Sequence, residues 1–182
     1  MQPPATGAAR GDATIRDAHA ADFAAILALN AESESFLSAL DEKRLCLLHA
    51  WSAYHRVVEH AGSVVAFLLA FREGAPYDSP NYTWFAGHYR QFLYIDRVVV
   101  AATQQGRGIG ALLYDDIVAF AAAAGIAQLT CEFDLEPPNP ASARFHARYG
   151  FREVGRQWID EGRKQVSLQL RAIKPAAART PV

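Results

Sequence analysis

Three glycines fall within five positions in the segment Gln105-Gly106-Arg107-Gly108-Ile109-Gly110, which lies between an apolar run and a long amphipathic one. Glycine lacks Cβ and permits positive φ, so successive backbone N–H groups can point into one concavity. The N-terminus of a following helix adds further N–H donors and the positive end of its dipole. The segment therefore predicts a cradle for a pyrophosphate, with Arg107 at its rim. A turn that needs glycine only for packing is the alternative.

This segment does not match the two best-known phosphate loops. It lacks the Gly-Lys-Ser/Thr of a Walker A loop, and the spacing GxGxxG of a dinucleotide-binding turn does not fit.

Acidic side chains that could take a proton lie on the two strands predicted on either side of that helix. Asp96 precedes the glycine segment, and Glu132 and Asp134 follow the helix. A period of two places Glu132 and Asp134 on one face of their strand. A carboxylate in a cleft can serve as a general base, although each of the three could equally be a salt-bridge partner or a solvated acid. We favour Glu132 as the base.

Hydrophobic periodicity and turn residues predict the elements that hold these groups. Strands are predicted at 14–17, 55–60, 63–73, 92–101, 128–135, 151–159 and 164–170. Helices are predicted at 20–30, 33–40, 41–54, 109–124 and 141–149. Asp41 is the expected N-cap of the third helix, and residues 74–91 are expected to form a long loop. The strand–helix–strand step at 92–135 implies one parallel pair in an otherwise antiparallel sheet.

Composition narrows the classes of function. The chain has 182 residues, 51% of them hydrophobic, and a formal net charge of -1. We expect one domain at 12–171, with mobile tails at 1–11 and 172–182. The charge balance predicts no nucleic-acid partner, no apolar run is long enough to span a membrane, and a cytoplasmic location is expected. Cys46 and Cys131 are expected to be buried free thiols, and no spacing suggests a metal site.

Two motifs resemble those of a known family. Gln105-x-x-Gly108-x-Gly110 is similar to the first signature of the GNAT superfamily of N-acetyltransferases. The run Asn139-Pro140-Ala141-Ser142-Ala143-Arg144-Phe145-His146, followed by Tyr149-Gly150-Phe151, is similar to its second signature. The resemblance covers roughly residues 12–171, and DSPNY, LTCEFDLEPPNPAS and GFREVGRQ look like a bacterial subgroup of predicted acetyltransferases. It implies an α/β fold with a mixed, mostly antiparallel central sheet, one splayed parallel strand pair, and helices on both faces.

The resemblance also implies acetyl-CoA as cosubstrate and assigns residues to it. The amides of Gln105, Gly106, Arg107, Gly108, Ile109 and Gly110 would bind the pyrophosphate. Val98, Val99 and Val100 would pair with the pantetheine arm and supply an N–H to the acyl oxygen. Asn139 would bind the cofactor, or would only cap a helix.

The family commonly has a tyrosine proton donor seven residues after the asparagine, where this chain has His146. His146 could donate a proton, bind cofactor, orient substrate, or simply pack in the core. Tyr149 lies three residues on and is a second candidate donor.

The implied function is an acetyl-CoA-dependent N-acetyltransferase that acts by direct attack of a small-molecule or peptide amine. The alternative is a non-catalytic GNAT-fold module that senses CoA or another ligand. Six residues of the 74–91 loop would border the acceptor pocket, pin the loop to the core or form the contact of a homodimer: Tyr77, Asp78, Asn81, Tyr82, Trp84 and Phe85.

Overall fold

The computed structural model describes residues 12–174. The strands are β1 Ala13–Asp17, β2 Tyr54–His60, β3 Ser63–Arg72, β4 Leu93–Val100, β5 Gln128–Glu136, β6 Arg152–Ile159 and β7 Lys164–Ala172. The helices are α1 Phe23–Ala31, α2 Glu42–Trp51, α3 Pro80–His88, α4 Ile109–Ala123 and α5 Pro140–Arg148.

The seven strands form one sheet in the order β1-β2-β3-β4-β5-β7-β6. β1 pairs antiparallel with β2, and β7 pairs antiparallel with both β5 and β6. β4 and β5 run parallel, with Leu93 opposite Leu129 and Tyr94 opposite Thr130. This mixed sheet with its flanking helices confirms the predicted fold class.

The described chain divides into two compact units, each with its own core. The first holds the chain up to Ala50, Tyr54–Leu69 and Arg97–Asp115. Its core includes Phe23, Ile26, Leu29, Leu45, Val57, Phe67 and Val99, all buried. The second holds Trp51–Ala53, Ala70–Asp96 and the chain from Asp116 onward. Its aromatic cluster joins Phe71, Tyr82, Phe85, Phe92 and Tyr94, with ring centroids 5.7–6.4 Å apart.

The helix predicted at 33–40 is wrong, because the segment forms turns and irregular backbone. Side chains of its own unit take up its backbone groups. The Ser38 carbonyl accepts from Asn30 Nδ2 at 3.2 Å and from Arg97 Nη1 at 2.8 Å. These hydrogen bonds to side chains take the place of the backbone hydrogen bonds that a helix at 33–40 would make.

The loop predicted at 74–91 contains a helix, α3, that the sequence reading missed. Ser79 caps its N-terminus by accepting from the Tyr82 N–H at 3.5 Å, and Pro80 occupies the first turn, where no N–H is needed. Asn81, Tyr82 and Phe85 form its buried side. The Ser-Pro pair was the signal available for this helix.

Other expectations need smaller corrections. Asp41 caps α2 as predicted, with Arg44 N–H donating to its Oδ1 at 2.7 Å, but the helix ends at Trp51 rather than 54. Both cysteines are free as predicted, yet Cys46 is exposed and only Cys131 is buried. The predicted tails lie outside the described residues except for 172–174, where Ala172 ends β7 and Ile173 is buried. The domain at 12–171 stays a prediction.

None of the helices within residues 12–174 combines the length and apolar character that crossing a membrane requires. In the same part of the chain, no three His, Cys, Asp or Glu side chains are grouped to hold a metal ion.

Candidate active site

The glycine segment has the backbone conformation that a cradle requires. Gly106 and Gly108 adopt φ of 75° and 84°, values that L-residues rarely reach. A Cβ built on Gly106 would meet no atom within 4 Å, so open space lies beside its backbone. Ile109 is buried and begins α4, whose 15 residues give the segment a full helix N-terminus. This geometry suits an anionic ligand that approaches the backbone closely.

One of the predicted cradle residues, Gln105, already makes two hydrogen bonds within the segment and its surroundings. The Gln105 N–H donates to Ala102 O at 3.4 Å, and its side-chain Nε2 donates to Val100 O at 3.2 Å. Gln105 thus ties the turn to the end of β4. Arg107 is exposed, as expected for a charge at the rim.

The end of β4 alternates between core and partly open positions. Val99 is buried in the core of the first unit, whereas Val98 and Val100 are half-buried. The C-terminal end of β4 is therefore not fully buried on both faces. Such an alternating edge is compatible with a partner that adds to the strand.

The two carboxyl oxygens of Glu132, a residue of the second unit, differ in their hydrogen bonds. Its Oε1 accepts from the Tyr94 hydroxyl at 3.0 Å. Its Oε2 is buried and has no hydrogen-bond partner among the described residues. Tyr94 itself is fully buried, so the hydroxyl that donates to Glu132 belongs to a side chain without contact to solvent. A buried oxygen without a donor is available to hold a proton or to accept one from a ligand.

The surroundings of Glu132 raise its pKa to about 8. Burial is the main cause, since it disfavours the charged form, and the negative charge of Asp96 adds to it. Hydrogen bonding to Tyr94 and Asn81 opposes the rise. A carboxyl group that titrates about one pH unit above neutrality is suited to general base catalysis.

Asn81 is held toward Glu132 by a neighbour on β6. Gln157 Nε2 donates to Asn81 Oδ1 at 2.5 Å, and both residues belong to the second unit. Because its oxygen is occupied in this way, the amide nitrogen of Asn81 is left to donate toward the carboxylate. The sequence placed Asn81 only in a loop near the acceptor, since α3 was not foreseen.

The other two candidate acids have different partners. Asp134 lies 3.4 Å from Lys164 Nζ, so it makes the ion pair that was the structural alternative for it. Burial raises the pKa of Asp134, and Lys164 opposes that rise. Asp96 Oδ1 accepts from the Tyr77 hydroxyl at 2.6 Å. Of these three acids, only Glu132 has a buried carboxyl oxygen that accepts no hydrogen bond from the described residues.

His146 lies in the core. It is 4% exposed, stacks on Phe133 with ring centroids 5.8 Å apart and meets the edge of Phe151. Its Nδ1 is 2.8 Å from the Ser142 carbonyl oxygen in the preceding turn of α5. Burial lowers the pKa of His146, so the ring is neutral at physiological pH.

Tyr149 and Asn139 lie at the two ends of α5. Tyr149 is half-buried, with its ring beside Phe145 and the Arg171 guanidinium 5.8 Å from its centroid. Asn139 is half-buried and caps the helix, because its Oδ1 accepts from the Ser142 N–H at 3.1 Å. The capping role of Asn139 is thereby present, and it leaves the side-chain amide group as the donor for a ligand.

A family model described as the acetyltransferase (GNAT) family matches residues 17–151. The chain belongs to the GNAT family of N-acetyltransferases. Members of this family use acetyl-CoA as the acyl donor, in agreement with the motifs around the glycine turn and Asn139.

The chain is also similar to one characterised protein in sequence and to solved structures in fold. Phosphinothricin N-acetyltransferase of Streptomyces coelicolor is 47% identical over 74 residues, and the alignment spans 37% of each chain. Ard1 from Thermoplasma volcanium has a similar structure, with a TM-score of 0.74, 18% identity, and coverage of 90% of this chain and 99% of its own. The structure of yncA from Salmonella typhimurium with its cofactor acetyl-CoA gives a TM-score of 0.64 at 20% identity, with coverage of 94% and 100%.

The residues present fit acetyl-CoA. The open space beside Gly106, the two positive φ angles and the N-terminus of α4 suit a pyrophosphate. The half-buried edge at Val98 and Val100 suits an extended amide-bearing arm.

Proposed function

We propose that this chain transfers the acetyl group of acetyl-CoA to the amine of a small molecule or peptide, with Glu132 as general base. The observation that carries the proposal is the Glu132 carboxyl group, whose Oε1 accepts from the Tyr94 hydroxyl and whose Oε2 is buried and accepts no hydrogen bond from the described residues. The pKa of Glu132, raised to about 8 mainly by burial, suits this carboxyl group to accept a proton near neutral pH.

Bound acetyl-CoA supplies a thioester carbon for attack and a thiolate as leaving group. An ordinary alkyl amine carries a proton at pH 7 and has no lone pair to offer, so the acceptor first loses that proton to solvent and then attacks as the neutral amine. Glu132 takes the proton that nitrogen loses when the N–C bond forms. Backbone N–H groups at Val98, Val99 and Val100 are proposed to donate to the acyl oxygen, where fixed dipoles are most effective.

The C–S bond then breaks, and the sulfur needs a proton. We assign that proton to the Tyr149 hydroxyl, because Tyr149 is half-buried while His146 is buried, neutral and bonded along its own helix. His146 would then orient α5 and, with it, Asn139 and Tyr149. The proposed acetyl-CoA site consists of Gln105, Gly106, Arg107, Gly108, Ile109, Gly110 and Asn139.

Binding can be tested before any acceptor is known. Gly106→Trp places a side chain in the open space of the cradle, whereas Gly162→Trp places one in the open β6–β7 turn at a similar φ of 83°. Both variants carry the same type of backbone strain. Calorimetry should give a roughly micromolar Kd for acetyl-CoA with the wild type and with Gly162→Trp, and at least tenfold weaker binding with Gly106→Trp. Equal binding by all three would remove the cradle from the proposal.

Turnover is then measured as release of CoA thiol with a panel of amines. The panel includes phosphinothricin, because a relative with that activity shares part of the sequence, together with diamines and peptides with a free N-terminus. Amine-dependent release that is lost in Glu132→Gln supports the proposed function. Tight binding of acetyl-CoA without release by any amine would favour the sensor module instead.

A further inference from the structure

Asp96 is a charged group that the proposed mechanism does not use, and the strand geometry brings it to the Glu132 side. Tyr94 and Asp96 are two residues apart on β4 and so share a face, and Thr130 and Glu132 do so on β5. The parallel pairing of β4 and β5 sets Tyr94 opposite Thr130, and Asp96 and Glu132 each lie two residues further along their own strand. The Tyr94 hydroxyl reaches Glu132 across the same two strands.

Tyr77 fixes the Asp96 carboxylate in place. Its hydroxyl donates to Asp96 Oδ1 at 2.6 Å, a short distance typical of a donor to an ionised acceptor. The Tyr77 ring is itself held, because it lies on Phe71 with centroids 4.5 Å apart and beside Tyr82 at 5.7 Å. The phenol stabilises the charged form of Asp96 without neutralising it, since it is uncharged.

The other groups that act on Glu132 are two neutral hydrogen-bond donors and one acid in an ion pair. Tyr94 and Asn81 are neutral donors that favour its carboxylate form. Asp134 faces the same side of β5, but Lys164 lies 3.4 Å from it and offsets its charge. Among the two acids, Asp96 has the larger effect on the pKa of Glu132 and Asp134 the smaller.

We propose that Asp96 is a positioning residue for acetyl transfer: held by Tyr77 on the face of β4 from which Tyr94 reaches Glu132, its carboxylate favours movement of the proton of the acceptor amine to Glu132. This inference rests on the proposed role of Glu132. It assigns a task to the Tyr77–Asp96 pair, which lies outside both sequence motifs.

Asp96→Asn tests the proposal because it removes the charge and leaves an oxygen for Tyr77. The titration of Glu132 is followed by carbon NMR of protein labelled at the glutamate carboxyl, and its signal is identified by its loss in Glu132→Gln. We expect a midpoint near pH 8 in the wild type, and at least tenfold weaker proton binding, a midpoint lower by one pH unit or more, in Asp96→Asn. Asp160→Asn, an exposed aspartate in the β6–β7 turn, should leave the midpoint unchanged.

An unchanged Glu132 midpoint in Asp96→Asn would overturn the inference. With an active acceptor, the pH at which kcat/KM reaches half its maximum should fall by the same amount. A profile that stays in place while the NMR midpoint moves would also overturn the positioning role. Because the NMR titration needs no turnover, failure to find an acceptor would count against the proposed function and not against the charge effect.

Discussion

At the scale of single residues, the proton affinity of Glu132 is the balance of opposed neighbours. Burial and Asp96 raise its pKa, and the hydrogen bonds from Tyr94 and Asn81 lower it. Each of these neighbours has a support of its own, such as Gln157 for Asn81 and Tyr77 for Asp96. Neighbouring residues therefore set the proton affinity of the proposed base.

The Gln157–Asn81 contact gives a prediction opposite in sign to that for Asp96. Gln157→Leu removes the donor that fixes the Asn81 oxygen, so the amide is free to turn away from Glu132. The Glu132 midpoint should then rise above its wild-type value. The unfolding free energy should fall by about 1–2 kcal/mol, because the buried Asn81 oxygen loses its partner.

Urea unfolding and the carbon NMR titration measure these two effects separately. A Glu132 midpoint that falls or stays constant in Gln157→Leu would show that Asn81 does not act on the carboxylate.

At the scale of elements, α3 is fixed by one close approach to β6. A Cβ built on Gly155 would lie 2.8 Å from Cζ2 of Trp84, a residue of α3 whose ring stacks on His88 at 3.8 Å. Gly155 also marks a register shift between β6 and β7. Glycine is needed here for space, since its φ is not in the left-handed region.

We predict that Gly155→Ala destabilises the protein by about 1–3 kcal/mol, because the new methyl group displaces Trp84. Gly87→Ala is the matched control, since it lies in α3 with nothing within 4 Å and should be neutral or stabilising by up to about 1 kcal/mol. Thermal unfolding of both variants checks this. A Gly155→Ala variant as stable as the wild type would mean that Trp84 can move without loss.

Local sequence signals identified most elements and missed those that depend on distant partners. The β2–β3 hairpin was predictable because Ala61-Gly62 is a two-residue turn, and both residues have positive φ, at 50° and 75°. α3 was missed because its aromatic and proline-rich stretch shows no clear helical period. The helix predicted at 33–40 failed because Asn30 and Arg97 bind the Ser38 carbonyl, and sequence periodicity contains no information about those contacts.

At the scale of the whole molecule, the residues of the candidate site could be predicted from the sequence, but the protonation behaviour of its acids could not. The sequence identified the glycine turn, and period two placed Glu132 and Asp134 on one face. It could not separate their roles, because Lys164, Tyr94 and Asn81 come from three other elements. Burial, which raises the pKa of Glu132 most, is a property of the folded chain alone.

The raised pKa of Glu132 predicts how stability depends on pH. The folded protein binds a proton at Glu132 up to about pH 8, whereas the unfolded chain releases it near 4.5. At Glu132 the native state therefore holds more protons between these values, and the contribution of Glu132 to the unfolding free energy falls as pH rises through that window. Glu132→Gln should abolish this loss, gaining roughly 3 kcal/mol on the wild type between pH 5 and pH 8.

At acid pH, the same unfolding measurements also report on the titration of His55. His55 is buried with its Nδ1 2.9 Å from His49 Nδ1, and burial with the charge of His49 lowers its pKa to about 4. The contribution of His55 to stability should therefore be lost as pH falls from about 6.5 toward 4. In Glu132→Gln this loss is measured alone, whereas in the wild type protonation of Glu132 offsets it above about pH 4.5. Urea unfolding across the pH range checks both limbs. Parallel curves for the two proteins above pH 5 would show that Glu132 titrates normally.

The most direct test of the central claim is kcat/KM of Glu132→Gln at pH 8 with an active acceptor, measured beside the Kd for acetyl-CoA. The substitution keeps the size of the side chain and removes its ability to accept a proton from the amine. We predict a fall of at least about 100-fold in kcat/KM with an unchanged Kd for acetyl-CoA. A variant that keeps more than about a third of wild-type kcat/KM, far above the loss expected for a missing general base, would contradict the assignment of Glu132 as that base.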